Sequence, residues 1–251
     1  MEWNAAIWLV ALALPFLFIQ RRLHNEIILL TYLITRHAGV SQIIFSIIFL
    51  PGVLLHELSH LIMAWLLRVR TGRFSILPSS LPGGRLRLGY VETEPSDFVR
   101  DTLIGAAPLI TGGIAITLIG SRCLGLGEMT SVFTQNDWAN FFNALLKLPK
   151  QPDFWLWFYL AFAISSTMLP SASDRRSWVS FGLVLGGLIG LSLLLGAGPW
   201  LADKLGHGIS QMLYSITLVI GISLLLHFIL LVPVYTLRML FNRYLFRRLK
   251  L

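Results

Sequence analysis

The stretch LLHELSHLIMAWLL, residues 54–67, sets two histidines, a glutamate and a serine inside a run otherwise suited to lipid. In hydrocarbon each charged side chain costs on the order of 2.5–3.5 kcal/mol on insertion scales, less for neutral histidine, so three ionisable groups together require a compensating partner. His56-Glu57-Leu58-Ser59-His60 has the form HExxH. On a helix, residues four apart share one face with Cβ atoms about 6 Å apart, so both imidazoles reach a single zinc ion at about 2.0–2.1 Å. Glu57 stands roughly 100° round the helix from His56, a position suited to taking a proton from the metal's water rather than to ligating the metal. The plainer alternative is a pair of histidines satisfied by helix packing.

Outward from this stretch the chain is lipid-like. Of 251 residues 55% are hydrophobic and 13% charged, and the mean hydropathy is +0.73, far more apolar than a soluble domain. The expected fold is an all-α polytopic membrane protein. Apolar runs long enough for a span of about 20 residues lie near 4–20, 41–67, 101–121, 154–171, 178–198 and 209–236, about six transmembrane helices. No linker divides them, so a single membrane domain is expected, with an N-terminal span and interfacial segment (1–38), a core (39–180) and C-terminal helices (181–251). The first run lacks a basic leader and ends in Gln20-Arg21-Arg22 rather than at a small-residue cleavage site, which reads as a retained span.

The net charge of +8 comes from arginines clustered at the ends of apolar runs, where they orient spans; nucleic acid is not an expected partner. Arg68, Arg70, Arg73, Arg85, Arg87, Arg100, Arg175, Arg176 and the basic tail from Arg238 onward favour both termini in the cytoplasm. Arg21, Arg22 and Arg36 run against that arrangement. Cys123 is the only cysteine, which excludes an intrachain disulfide and CxxC chemistry.

Between the second and third spans, RFSIL (73–77) and RLRLGYV (85–91) are short β-rich runs separated by Pro and Gly, and predict a small β-hairpin or sheet. Trp138, Phe141, Phe142, Leu145 and Leu146 recur at helical spacing and predict a helix lying in the outer interface. Gly182, Gly186 and Gly190 form a small-residue face on the fifth span, most simply a packing surface.

A hydrolytic zinc takes three protein ligands plus water. Asp174 is one candidate for the third: in STMLPSASDRRSW, Pro170 and the small residues after it break the helix and bring a carboxylate to the inner half of the membrane, a depth compatible with His60. Other candidates are His227 in LLLHFILL, His207, and the acidic set Glu92, Glu94, Asp97 and Asp101. Asp174 also reads as a solvated charge beside Arg175 and Arg176.

Three features together resemble the site-2 protease family of intramembrane zinc metalloproteases: HELSH inside a span, the loop from RFSI to LGYV leading into GAAPLITGG, and TMLPSASD. They are similar to the family's zinc motif, its β-rich insertion followed by an A-G-P-L-A-N type motif, and its aspartate-bearing N-x-x-P…D-G segment. The resemblance covers about residues 45–180. It implies one Zn2+ held by His56, His60 and Asp174, Glu57 activating water to cleave a peptide bond in or beside a membrane helix, and a transmembrane protein as substrate. Leu88, Gly89, Tyr90 and Val91, with Thr111 and Thr167, would meet that substrate. Thr111 and Thr167 stand where the family has Asn, and Arg175 where it has Gly. A compact bundle of this kind fits a prokaryotic plasma membrane. A second reading is a non-catalytic metal-binding membrane protein that holds or sequesters transmembrane partners. A third is a metal transporter with a His56, His60 and His227 relay, disfavoured because spans one, three and five carry almost no ionisable residues.

Overall fold

The structure, a computed structural model, describes residues 4–76, 78–81, 85–124, 143, 146–196 and 198–248. Among the described residues, seven main helices follow in order: α1 (Asn4–Thr35), α2 (Ala38–Ile48), α3 (Leu50–Leu66), α4 (Phe98–Leu118), α5 (Phe154–Thr167), α6 (Trp178–Leu194) and α7 (Gly198–Arg248). Four short strands, β1 (Thr71–Ser75), β2 (Ser79–Leu81), β3 (Arg85–Arg87) and β4 (Tyr90–Thr93), lie between α3 and α4. The expected interfacial helix around Trp138, Phe141, Phe142 and Leu145 lies outside the described residues.

Among the described residues, three helical segments are long and apolar enough to cross a membrane: Ala6–Thr35, Phe98–Cys123 and Ile216–Tyr244. The α2–α3 pair, bent by 68°, makes a fourth if it counts as one span. That is fewer than the six expected. The shortfall lies in α5 and α6, apolar but only 14 and 17 residues long. The 26-residue segment Phe98–Cys123 includes a wider π turn, Ile119–Cys123, that continues α4.

Pro51 explains the bend. It has no N–H to give and its ring would strike the carbonyl of Ile47 in a continuous helix. The chain therefore ends α2 at Ile48 and restarts with the proline in the first turn of α3, where its missing donor costs nothing. At the other end of α3, Arg68 takes a left-handed conformation (φ 58°) and Val69 N–H bonds back to the Ala64 carbonyl at 2.8 Å, turning the chain into β1. The strands form a hairpin within a hairpin, as the sequence predicts. β1 pairs antiparallel with β4, with Phe74 opposite Val91 and Ser75 opposite Tyr90; inside them β2 pairs with β3.

The course of α1 departs from expectation. Instead of ending near residue 20, the helix continues through Arg21 and Arg22 to Thr35, because its inner face is matched by α7 along the whole length. Gly221 lies against Leu12, Phe16 against His227, and Glu26 against Arg238. The paired numbers rise together, so α1 and α7 run parallel. Residues 4 and 248 therefore lie at opposite ends of this pair. The end of the pair that carries Arg238 then also carries Arg22.

Buried apolar side chains tie these elements together. Phe16, Ile116, Phe154, Ile164 and Val219 meet at one level, and Leu23, Phe45, Phe49, Val53 and Phe162 at another, closer to the strands. By contrast α6 buries none of its residues, and a Cβ on Gly182, Gly186 or Gly190 would meet nothing within 4 Å.

Candidate metal centre

The α3 helix presents His56 and His60 one turn apart on the face turned toward α4 and α5. Both rings are fixed by main-chain carbonyls: His56 Nδ1 lies 2.6 Å from the Thr167 carbonyl oxygen, and His60 Nδ1 lies 2.8 Å from that of Ile104. A carbonyl only accepts, so each Nδ1 carries the proton and each neutral ring keeps its lone pair on Nε2.

The sequence accounts for both carbonyls being free. In a helix the Ile104 oxygen would receive the N–H of residue 108, but residue 108 is proline, so the acceptor is released to His60. Thr167 ends α5, where the last carbonyls have no intrahelical partner. The N–H of Ser171, four residues on, is committed to Asp174 Oδ2 at 2.7 Å.

That bond also shapes the turn after α5. With the Ser171 hydroxyl accepting from Asp174 N–H at 3.3 Å, it folds the segment so that the carboxylate faces the histidines. His56 Nε2 is 3.7 Å from Asp174 Oδ2, His60 Nε2 is 3.5 Å from Oδ1, and the two Nε2 atoms are 3.2 Å apart. The Ser171 N–H donating to this carboxylate favours its ionised form.

Three lone-pair donors thus converge, and two of them stand nearly in contact as acceptors facing acceptors. A cation between them removes that repulsion. Tetrahedral zinc with bonds of about 2.0–2.1 Å sets its ligands about 3.3 Å apart, close to the separations found. Among the described residues, His56, His60 and Asp174 are the group of His, Cys, Asp or Glu side chains whose ligand atoms gather within 4.8 Å. The donor set of two neutral imidazoles and one carboxylate, each oriented by a second hydrogen bond, suits zinc.

Close helix approach makes this convergence feasible. A Cβ on Gly52 would stand 2.1 Å from the Ala163 carbonyl oxygen, and one on Gly112 would stand 2.6 Å from the Met168 Cβ. Glycine at these places lets α3 and α4 press onto α5 and the turn beyond it. Glu57 is buried beside the cluster, and a Cβ on Gly89 would come 2.8 Å from its Cγ and 3.0 Å from its Oε1. The residue just before β4 therefore lies directly against the Glu57 side chain. The ligand side chains keep 13%, 9% and 15% of their surface for His56, His60 and Asp174, so the centre is reachable.

The other candidates fall elsewhere. His227 is fully buried and bonds Ser166 and the Ser223 carbonyl. Asp97 caps α4, and Asp101 accepts from the Ser96 hydroxyl. Glu92 lies on β4, accepting from Arg73 N–H, and Glu94 follows it. His207 is in α7, but its side chain is outside the described residues. Leu88 packs on the Phe49–Val53 cluster, and Tyr90 and Val91 belong to β4. The Thr111 and Thr167 hydroxyls bond back to the Ala107 and Ala163 carbonyls of their own helices. The part of Thr167 engaged with the centre is its carbonyl, which side-chain reasoning passes over. Gln20 and Ser166 were likewise not legible as neighbours of the centre, and His227, read as a candidate ligand, bonds Ser166 instead; Pro170, four residues after Ser166, is the one signal that a carbonyl there is free.

No protein-family model matches the chain, and no curated protein and no solved structure matches it either.

Proposed function

We propose that the chain is an intramembrane zinc metalloprotease, similar in its motifs to the site-2 protease family, that hydrolyses peptide bonds in or next to transmembrane helices. The observation that carries this reading is the convergence of His56 Nε2, His60 Nε2 and the Asp174 carboxylate, all within 4.8 Å of one another, with Glu57 buried beside them. His56, His60 and Asp174 would hold the ion. When bound, zinc supplies Lewis acidity toward a peptide carbonyl and toward water.

The remaining chemistry belongs to the chain's own residues. Water attacking the scissile carbonyl gives a proton to Glu57, which returns it to the departing amine nitrogen. β4 has β1 on one edge, and Gly89, just before it, lies against Glu57, so an extended segment added along β4 reaches the base in the open form that cleavage needs. A transmembrane substrate must unwind locally to present such a segment. The Thr167 and Ile104 carbonyls keep both imidazoles in the tautomer that leaves Nε2 free.

The protein is read as an integral membrane protein of a prokaryotic plasma membrane. With α1 and α7 parallel, the positive-inside rule assigns the end bearing Arg22 and Arg238 to the cytoplasm and the first turn of α1 to the other face.

The test uses the whole chain in vesicles with a mixture of single-span membrane peptides, wild type beside Glu57→Gln, with zinc content and cleavage fragments measured together. One zinc per chain in both, and fragments at least ~10²-fold slower from the variant, is the expected result. Equal cleavage by both proteins overturns Glu57 as base. Zinc without any cleavage favours the non-catalytic binding protein.

A further inference from the structure

We infer that Gln20 on α1 and His227 on α7 are positioning residues for the metal ligand His56, acting through Ser166 and the carbonyl that follows it. The inference rests on the metal-centre reading above and extends that centre to the first and last helices.

Ser166 is gripped from two sides. Its carbonyl oxygen would receive the N–H of residue 170 in a continuing helix, but that residue is proline, and Gln20 Nε2 donates to the oxygen instead at 2.7 Å. Its hydroxyl lies 2.8 Å from His227 Nε2. The direction of this second bond is fixed by the far side of the ring: His227 Nδ1 lies 2.7 Å from the Ser223 carbonyl, which only accepts. Nδ1 therefore holds the proton, Nε2 is an acceptor, and the Ser166 hydroxyl donates.

The ring that accepts is itself immobile. His227 is 0% exposed, with Phe16 and Phe162 at centroid distances of 5.2 and 5.1 Å. Gln20 is 8% exposed and Ser166 5%. Three buried polar side chains from three helices thus satisfy one another at a single residue. That residue is one peptide unit before the Thr167 carbonyl that holds His56 Nδ1 at 2.6 Å.

These bonds add to the last intrahelical bond of α5, Met168 N–H to the Ile164 carbonyl at 2.9 Å, in fixing the end of α5 that carries the Thr167 carbonyl. If Ser166 is released, the Thr167 carbonyl is held less firmly, and the bond that sets the ring plane and tautomer of His56 weakens. Partners of this kind, one bond removed from a ligand, tune metal affinity about 10–100-fold. A purely structural role in joining α1, α5 and α7 would leave the coordination itself untouched.

The test measures zinc affinity and the visible ligand-field spectrum of Co2+ on the full chain in detergent for wild type, Gln20→Leu, His227→Phe, His227→Gln and His56→Ala. Gln20→Leu and His227→Phe should bind zinc about 10–100-fold more weakly and shift the cobalt bands. His227→Gln keeps an acceptor for the Ser166 hydroxyl and should restore affinity to within a few-fold of wild type. Should His227→Phe fail to fold, Ser166→Ala, which removes one oxygen atom, carries the same expectation. Wild-type affinity and spectrum in the Gln20, His227 and Ser166 variants, with binding lost in His56→Ala, overturns this inference and leaves the metal centre standing. Absence of zinc and cobalt from the wild type overturns both.

Discussion

A methyl group on Gly105 would stand 2.0 Å from the carbonyl oxygen of Asp174, so α4 can meet the ligand-bearing turn only with glycine at this position. Gly105→Ala must push the turn away from the histidines. Overpacking of this kind costs about 1–3 kcal/mol, and the expected result is a matching loss of stability together with weaker zinc binding. Gly113→Ala is the control, since a Cβ there meets nothing within 4 Å. Equal zinc affinity in the two variants would show that the turn does not depend on that approach.

Pro108 leaves the Ile104 carbonyl to His60, and Pro108→Ala restores a competing N–H. The helix should gain stability while zinc affinity falls by about tenfold, at the low end for loss of a ligand's supporting bond. The opposite signs are the diagnostic: thermal unfolding of the metal-free protein and zinc titration should move in opposite directions.

Glu26 is 1% exposed at its side chain and is paired to Arg22 at 2.9 Å and to Arg238 of α7. Both guanidinium groups also lie near the Tyr235 ring, at 5.9 and 5.1 Å. Removing one partner of a buried pair typically costs about 3–5 kcal/mol, whereas replacing both can be neutral. Arg238→Met should fall near the lower figure, because Arg22 remains, and Glu26→Gln with Arg238→Met should recover most of the loss. Detergent unfolding of the two single variants and the double variant closes the cycle; simple additivity would refute the coupling.

Asp97 begins α4 with its Oδ1 accepting from Val99 and Arg100 N–H, both at 3.1 Å. The Arg100 backbone bond leads the effects that lower its pKa, against a small opposing effect of burial. An acid whose folded value lies below its unfolded value stabilises the fold above the unfolded value, and the contribution is lost as pH falls through the folded one. The stability gap between wild type and Asp97→Ala should therefore be largest above about pH 4 and close below it. A gap independent of pH would assign the cap to shape rather than charge.

The convergence of His56, His60 and Asp174 was legible because HExxH sets the two histidines on one helical face and Pro170 with its small neighbours marks the break that frees Asp174. The β-insertion was legible from alternation bounded by Pro and Gly. The span count was not, since apolar composition near 154–171 and 178–198 says nothing about where a helix stops. The length of α1 was hidden for a different reason. Gln20, Arg22 and Glu26 look like the end of a span until Ser166 and Arg238 are seen to answer them, and those partners lie 146 and 212 residues away. His227 drew attention as an intramembrane histidine, but only its contacts distinguish a ligand from a support.

The Glu26–Arg238 pair also sets an order of events. At roughly 5–20 residues per second of synthesis, the 212 residues between them take on the order of 10–40 seconds to make. Through that interval the inner face of α1 has Arg22 at its side and no final counter-ion. The strands, the histidines and the aspartate are all translated while α1 still awaits α7, so the α1–α7 pair closes only after the candidate centre has been made.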